Sequence, residues 1–123
     1  MKRVNSCGLD VALAVVGGRW KPLVIFHLGG GTRRFGELRR FVTGISEKVL
    51  IQQLKEMEAD GILSRTDHRE VPPRVDYAMT AFGRTLATAL TPLCSWGDAN
   101  RSQVEQMQRV QAKHERLNRA PLR

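Results

Sequence analysis

Apolar residues in the first half of the chain recur at intervals of three or four positions in four separate stretches. This spacing places them on one face of an amphipathic α-helix. Glycines follow every stretch, and they easily adopt the left-handed backbone that ends a helix. The pattern therefore predicts four helices, over residues 9–16, 20–28, 36–42 and 46–60.

The third and fourth predicted helices are joined by a short turn that includes a glycine. Two helices connected in this way are typical of a helix-turn-helix, in which the second helix enters the DNA major groove. In that second helix, Leu50, Leu54 and Met57 form one apolar stripe. The opposite face carries the candidate DNA contacts Ser46, Lys48, Gln52 and Lys55.

After residue 61 the apolar pattern changes to the alternation of β-strands. Residues 62–66 and 75–79 are predicted to pair as a hairpin. Pro72 and Pro73 cannot donate backbone hydrogen bonds, so their segment is assigned to the tip. A basic hairpin directly after a helix-turn-helix predicts a wing. Its candidate DNA contacts are His68, Arg69 and Arg74.

The rest of the chain is predicted to be helical. Thr80 is a suitable N-cap for a long helix that continues to Trp96. Pro92 inside this helix is expected to kink or break it. Residues 102–117 suit a mostly polar helix. The predicted fold class is therefore α+β, mainly α: a winged helix-turn-helix with a helical extension at each end.

The net charge of the chain predicts an anionic binding partner. The 123 residues carry a formal net charge of +8. Residues 19–74 hold eleven Lys or Arg against seven Asp or Glu, and residues 101–123 hold six against two. Such a surplus favours nucleic acid or a membrane surface as the partner.

Several other classes of protein are not indicated. The longest apolar run, residues 11–16, is far shorter than the roughly 20 residues that cross a bilayer, and no signal peptide is recognisable, so we expect a cytoplasmic protein. The cysteines and histidines are scattered, which argues against a metal site. The glycines at 29–31 lack the lysine of a P-loop, and no catalytic constellation is present. We therefore expect no enzymatic activity and no cofactor.

Several ordered motifs carry a family resemblance. They are Cys7, GGRW at 17–20, RFGELRR at 34–40, GISEKVL at 44–50, QLKEMEADG at 53–61, VPPRVDY at 71–77, Thr80, Gly83 and WG at 96–97. Together they resemble the HxlR-type branch of winged helix-turn-helix transcription regulators, relatives of the MarR family. The resemblance implies an obligate homodimer on a palindromic operator of double-stranded DNA. In the single domain 1–123, it implies a core at about 19–80 and dimerisation helices at about 7–17 and 80–117.

Arginines beside the recognition helix are candidate phosphate contacts, which fix register without reading sequence. They are Arg33, Arg34, Arg39 and Arg40. A solvated charged face is the alternative for each, and an internal salt bridge is a further alternative for Arg34. On the wing, Arg69 is favoured for contact with the minor groove or with a phosphate, since a narrow groove attracts arginine. Arg74 either contacts DNA or braces the hairpin on Glu70 or Asp76.

Two regulatory sites are candidates. Some relatives sense oxidants through a cysteine at the position of Cys7, and Lys2, Arg3 or a helix N-terminus would favour its reactive thiolate. Packing at an interface is the alternative for Cys7, and Cys94 is expected to be buried and inert. The second candidate is a pocket for a small-molecule effector, with a packed core as the alternative. Its lining residues would be Trp20, Phe26, Leu93 and Trp96.

Two other functions compete with transcription regulation. A basic RNA-binding protein tends to display stacking aromatics, whereas aromatic residues make up 6% of this chain and mostly occupy predicted core positions. A winged helix that binds another protein has no need of the basic face on the recognition helix. Both alternatives are weaker than binding to double-stranded DNA.

Overall fold

The structure, a computed structural model, describes residues 7–119 and has the predicted fold class. Its helices are α1 (Gly8–Val16), α2 (Trp20–Leu28), α3 (Phe35–Phe41), α4 (Glu47–Ala59), α5 (Ala81–Ala99) and α6 (Arg101–Arg119). Its strands are β1 (Arg33–Arg34), β2 (Leu63–Asp67) and β3 (Val75–Met79). The predicted order of helices and hairpin strands is confirmed, with boundaries shifted by a few residues.

The strands form an antiparallel sheet in the order β1-β3-β2. β2 and β3 are the predicted hairpin and begin their pairing with Leu63 opposite Met79. The sequence pattern does not predict β1, because two residues are too few to show alternation. β1 pairs with β3 through Arg33 opposite Tyr77. Because α3 starts directly after β1, this pairing ties the helix-turn-helix to the wing.

The described residues of the unit Met1–Leu90 share an apolar core, built mainly by α2, α3, α4 and the sheet. The predicted stripe on α4 is buried, since Leu50, Leu54 and Met57 are at most 1% exposed. Full burial of such a side chain contributes about 1.5–3 kcal/mol. The core therefore fixes which face of α4 points outward.

Side-chain caps fix where α4 and α5 begin. The Ser46 hydroxyl accepts a hydrogen bond from the Val49 backbone N–H at 3.2 Å, which confirms the predicted N-cap. The Thr80 hydroxyl likewise accepts from the Gly83 N–H at 2.9 Å. Gly83 lies so close to the backbone carbonyl of Ile62 that a Cβ there would clash. The start of α5 therefore packs directly on the chain that leads into β2.

A second unit, Thr91–Arg123, contains the end of α5 and all of α6. Pro92 lies inside α5, and the helix continues to Ala99. Of the predicted kink or break, the break is therefore wrong, and the kink stays a prediction. None of the described residues of this unit is buried. Its exposed large apolar side chains are Leu93, Trp96, Met107, Val110 and Leu117.

Along residues 7–119, no single helix has both the length and the apolar composition of a membrane span. α1 and α2 meet that criterion only when they are taken together, and they are bent by 84° relative to each other.

Candidate nucleic-acid interface

α4 presents a polar and cationic face to solvent. Lys48, Gln52 and Lys55 are exposed, on the side of the helix opposite its buried stripe. Ser46 is exposed as well, but its hydroxyl oxygen already serves as the helix cap. The predicted orientation of α4 is therefore confirmed, and contact of these side chains with DNA stays a prediction.

An ion pair connects this helix to α2. The Lys21 ammonium lies 2.8 Å from a carboxylate oxygen of Glu56. The hydrogen bond and charge of Lys21 hold the pKa of Glu56 below its usual range, and a hydrogen bond with the Gln52 side chain adds to this effect. The contact helps to fix the position of α4 while the Gln52 side chain remains at the surface.

A cleft of about 790 Å³ opens between α3, α4 and the sheet. Its cationic lining residues are Arg34, Arg40, Lys55, Arg65 and Arg74. Three carboxylates also line it, those of Glu37, Glu47 and Glu58. Glu37 accepts a hydrogen bond from the Arg34 backbone N–H at 2.9 Å, and Glu47 lies 3.4 Å from the Arg39 guanidinium. The cleft therefore has a surplus of positive charge, which suits a phosphate backbone.

Arg33 differs from the other predicted phosphate contacts because it packs against its own chain. Its Nε donates to the His27 carbonyl at 3.3 Å, and its guanidinium carbon lies 5.1 Å from the centre of the Phe41 ring. The His27 ring stacks on Phe41 at 5.4 Å, and burial, assisted by the charge of Arg33, lowers the pKa of His27. Arg33 does not line the cleft. Its charge instead complements the negative end of the α2 dipole.

The other three arginines lie at the surface. Arg34 and Arg40 are exposed and line the cleft, while Arg39 is exposed and contacts Glu47. Within residues 7–119, no carboxylate lies within 4.0 Å of the guanidinium of Arg34 or Arg40. The internal salt bridge considered for Arg34 is therefore not seen in this part of the chain.

Asp76 in β3 holds the base of the wing together. Its carboxylate lies 2.9 Å from Nε2 of His68 and accepts a hydrogen bond from the Arg74 guanidinium at 3.2 Å. Arg74, and then His68, hold the pKa of Asp76 below its usual range, and Asp76 raises the pKa of Arg74. Of the two partners considered for Arg74, the one in contact is Asp76. His68 and Arg74 therefore brace the wing from within, and Arg74 also lines the cleft.

Arg69 lies at the tip of the wing. Its backbone N–H donates to the Asp67 carboxylate at 2.9 Å, and its φ of 54° is in the left-handed region, which non-glycine residues adopt infrequently. Among the described residues, no carboxylate lies within 4.0 Å of its guanidinium. The turn thus presents a cation to solvent, close in sequence to Val71, which is 99% exposed.

Sequence reasoning missed Arg65, another cation of the cleft. It lies in β2 opposite Tyr77 of β3, and both residues line the cleft. Its side chain is 41% exposed, and its guanidinium lies 4.0 Å from Asp67. The alternation along the strand could have located Arg65. It follows the buried Leu63 by two positions, so both side chains lie on the same face of the sheet.

Cys7 is exposed at the N-cap position of α1. The backbone N–H groups of Asp10 and Leu9 lower the pKa of its thiol, as expected at a helix N-terminus. Lys2 and Arg3, the other groups considered as activators, lie outside the described residues. The local geometry therefore favours the thiolate form of Cys7.

Side chains expected to be buried on α5 are exposed instead. Cys94 is exposed, so the prediction that it is buried is wrong, because this part of α5 has no core beneath it in its own unit. Leu93 and Trp96 are 65% and 58% exposed, and Phe26 on α2 is 59% exposed. Trp20 is half-buried under the Arg19 guanidinium, 4.7 Å from the ring centre. None of the four candidate effector residues lines the cleft, and the effector pocket stays a prediction.

Known proteins similar to this chain are helix-turn-helix regulators. The model of the HxlR-like helix-turn-helix family matches residues 15–105. The uncharacterised HTH-type transcriptional regulator YkvN of Bacillus subtilis is 46% identical over 92 residues, 75% of this chain and 78% of that protein. The reduced form of the redox regulator HypR is 40% identical, with a TM-score of 0.75 and coverage of 81% of this chain and 99% of that one. Diamide-treated YodB from B. subtilis is 33% identical, with a TM-score of 0.62 and coverage of 76% and 93%.

Proposed function

The chain belongs to the HxlR-like helix-turn-helix family of transcriptional regulators, and from this membership we propose that it binds a palindromic DNA operator as a homodimer. The observation that carries the proposal is the exposed face of α4 beside a cleft rich in arginine and lysine. In the major groove, Gln52, Lys48 and Lys55 would reach base edges. The cations of the cleft and of the wing would hold the phosphates on either side.

A mobility-shift titration with the duplex upstream of the protein's own gene tests DNA binding. We expect a complex that resists excess nonspecific DNA and RNA, and whose affinity falls in Lys55→Ala. The matched control is Arg84→Ala, which removes the same charge from an exposed position outside the cleft. Displacement by RNA would support the RNA-binding alternative. The absence of a specific complex on any upstream duplex would support the protein-interaction alternative.

Apolar side chains exposed in each unit support homodimerisation. On α1, Leu9, Val11 and Leu13 are 44–68% exposed, and Asp10 is the only charged residue of this helix. The second unit adds the exposed apolar residues of α5 and α6 named above. Clustered exposed apolar surface marks protein–protein contacts. A second copy of the chain would remove these side chains from water.

Sedimentation equilibrium tests this part of the proposal. We expect a dimer for the wild type, and a shift toward monomer for Leu13→Glu, because a charge buried without a partner in an interface is costly. Val71→Glu places the same charge at the wing tip and should leave the mass unchanged. A wild-type protein that sediments as a monomer at micromolar concentration would contradict the proposal.

We also propose that oxidation of Cys7 switches DNA binding. The similarity to the redox regulator HypR and to diamide-treated YodB supports this, as do the exposure and lowered pKa of Cys7. A larger thiolate fraction speeds reaction with oxidants. A disulfide or sulfenic acid on α1 would change the proposed dimer interface and thereby the spacing of the two wings.

A comparison of reduced and diamide-treated protein tests the switch. Diamide takes two electrons from two thiols, which become a disulfide. For the wild type, we expect diamide to change operator affinity by about tenfold, within the usual range of allosteric coupling. Dithiothreitol should restore the original affinity. In Cys7→Ser, diamide should leave the affinity unchanged. Cys94→Ser tests whether Cys94 is the partner thiol. If Cys7 pairs with a thiol other than Cys94, operator binding by this variant still responds to diamide. An unchanged wild-type affinity would contradict the switch and favour the predicted small-molecule effector.

A further inference from the structure

α4 carries one exposed large apolar side chain, that of Ile51, which is 39% exposed. It lines the cleft, and so does Lys55 one turn later in the same helix. The core of the unit is filled by the adjoining stripe of α4, where Leu50 and Leu54 are at most 1% exposed. Ile51 lies beside this stripe, because residues three apart are neighbours on a helix surface. Ile51 is therefore placed at the border between the buried stripe and the exposed face, on the side of α4 that lines the cleft.

The surroundings of Ile51 in the cleft are charged. Arg40 of α3 and Arg65 of β2 line the cleft, and Lys48 and Gln52 are exposed on the same helix. A duplex held by these cations brings the edges of its base pairs to the outer face of α4. Ile51 would then be the large apolar side chain of α4 that faces them.

The chemistry of an isoleucine side chain limits what it can recognise. It neither donates nor accepts hydrogen bonds, so it distinguishes bases only by apolar contact and by excluding polar groups. The C5-methyl group of thymine is the apolar group that a base pair presents in the major groove. Cytosine has only a hydrogen atom in place of this methyl group, and its amino donor lies beside it, where thymine has an acceptor. That donor would lose its water against Ile51 without gaining an acceptor.

We propose that Ile51 is a specificity-determining residue that reads a thymine methyl group in each half of the operator. This inference rests on the proposed function and adds to it the identity of one base. Each half-site then contains an A·T pair whose thymine methyl lies against Ile51. Replacement of that pair by G·C is disfavoured even though no hydrogen bond to it is lost.

Replacement of thymine by deoxyuridine tests the contact, because it removes the methyl group and keeps every hydrogen-bonding group. A preferred duplex is first selected from a randomised library, and each thymine is then replaced in turn. For the wild type, we expect one symmetric pair of positions at which uracil lowers affinity by about fourfold per half-site, the factor that corresponds to about 0.8 kcal/mol for one buried methyl group.

The decisive comparison is a double-mutant cycle with Ile51→Ala. In this variant uracil at the same positions should have no further effect, since the contact is already gone. Lys48→Ala is the matched control on the same helix, because it should weaken binding to both duplexes equally and keep the fourfold effect. Circular dichroism checks that Ile51→Ala folds, as its partial exposure leads us to expect.

The outcomes separate this inference from the proposed function. Specific binding in which uracil has the same effect on wild type and Ile51→Ala, or no effect at any position, overturns the role of Ile51 alone. Failure to select any preferred duplex contradicts the proposed function and overturns the inference with it.

Discussion

At the scale of single residues, the wing depends on one carboxylate. Asp76 contacts both His68 and Arg74, and these contacts keep its pKa below the usual range. A group whose pKa is lower in the folded state stabilises the protein above its unfolded-state pKa, which is about 3.9 for aspartate. That stability is lost as the pH falls through the folded-state pKa.

The expected result is a difference in acid sensitivity. Between about pH 5 and pH 2, the range in which a paired aspartate titrates, the melting temperature of the wild type should fall more steeply than that of Asp76→Asn. Asp60→Asn is the control, because among the described residues Asp60 has no ion pair, and it should keep the wild-type steepness. Parallel curves for wild type and Asp76→Asn would show that the carboxylate does not stabilise the wing. Thermal unfolding followed by circular dichroism gives all three curves.

Gly83 gives a second prediction at this scale. A methyl group at this position would meet the carbonyl of Ile62 and the Met79 side chain. We expect Gly83→Ala to lower the free energy of unfolding by about 2 kcal/mol or more, because the obstacle is backbone and cannot rotate away. Urea denaturation at fixed protein concentration measures the change.

Gly36→Ala is the control for Gly83→Ala. Gly36 lies in α3 with nothing within 4 Å of the added methyl group. Alanine should therefore be neutral or stabilising there, by up to about 1 kcal/mol, since it is the better helix former. Equal effects of the two substitutions would show that the contact with Ile62 does not constrain α5.

At the scale of elements, the two faces of α4 should separate folding from binding. Leu54→Ala opens a cavity under the helix and should cost about 2–5 kcal/mol of stability. Its neighbour Lys55 is exposed, so Lys55→Ala should change stability by no more than about 0.5 kcal/mol. By contrast, Lys55→Ala should weaken operator binding. It should also reduce the slope of log affinity against log salt concentration by about 0.9 per lost phosphate contact. Denaturant titration measures the stability of the two variants, and fluorescence anisotropy measures their operator binding. If Lys55→Ala binds weakly only because it is less stable, the two faces of α4 do not have separate roles.

Most elements were predictable because their apolar residues repeat with a period. The stripe of Leu50, Leu54 and Met57 is enough to orient α4, and the oxygen side chains of Ser46 and Thr80 mark helix starts. β1 has no such signal, since a strand of two residues is defined only by its partner β3. Its existence depends on chain contacts distant in sequence, which local periodicity does not encode.

The predictions that depended on burial within α5 were less successful. An apolar helical stripe shows that a face seeks burial, but it does not show which molecule provides the cover. Cys94 and Trp96 follow the pattern of a core helix, yet both are exposed in this chain. Similarly, Arg33 and Arg34 are adjacent arginines that the sequence pattern does not distinguish, but only Arg34 lines the cleft. The difference arises from the Phe41 ring and the α2 terminus, which the fold brings to Arg33.

At the scale of the whole molecule, the surplus charge sets the salt dependence of binding. Suppose that Arg34, Arg40, Lys55 and Arg65 of both protomers each neutralise one phosphate. The logarithm of the affinity should then fall against the logarithm of salt concentration with a slope of about −7. Anisotropy titrations across a range of sodium chloride concentrations measure the slope. A slope shallower than about −3 would mean that most of the cleft stays away from the backbone.

The order of the sheet has a consequence for the protein when it is not on DNA. β2 is an outer strand of the order β1-β3-β2, and among the described residues no strand pairs with its free side. Such an open edge is a template for strand-by-strand aggregation, which charged side chains on the edge oppose. Arg65 stands in the middle of β2. We therefore expect Arg65→Val to make concentrated, DNA-free protein prone to precipitation, because this charge also opposes the pairing of β2 with the same strand of another molecule.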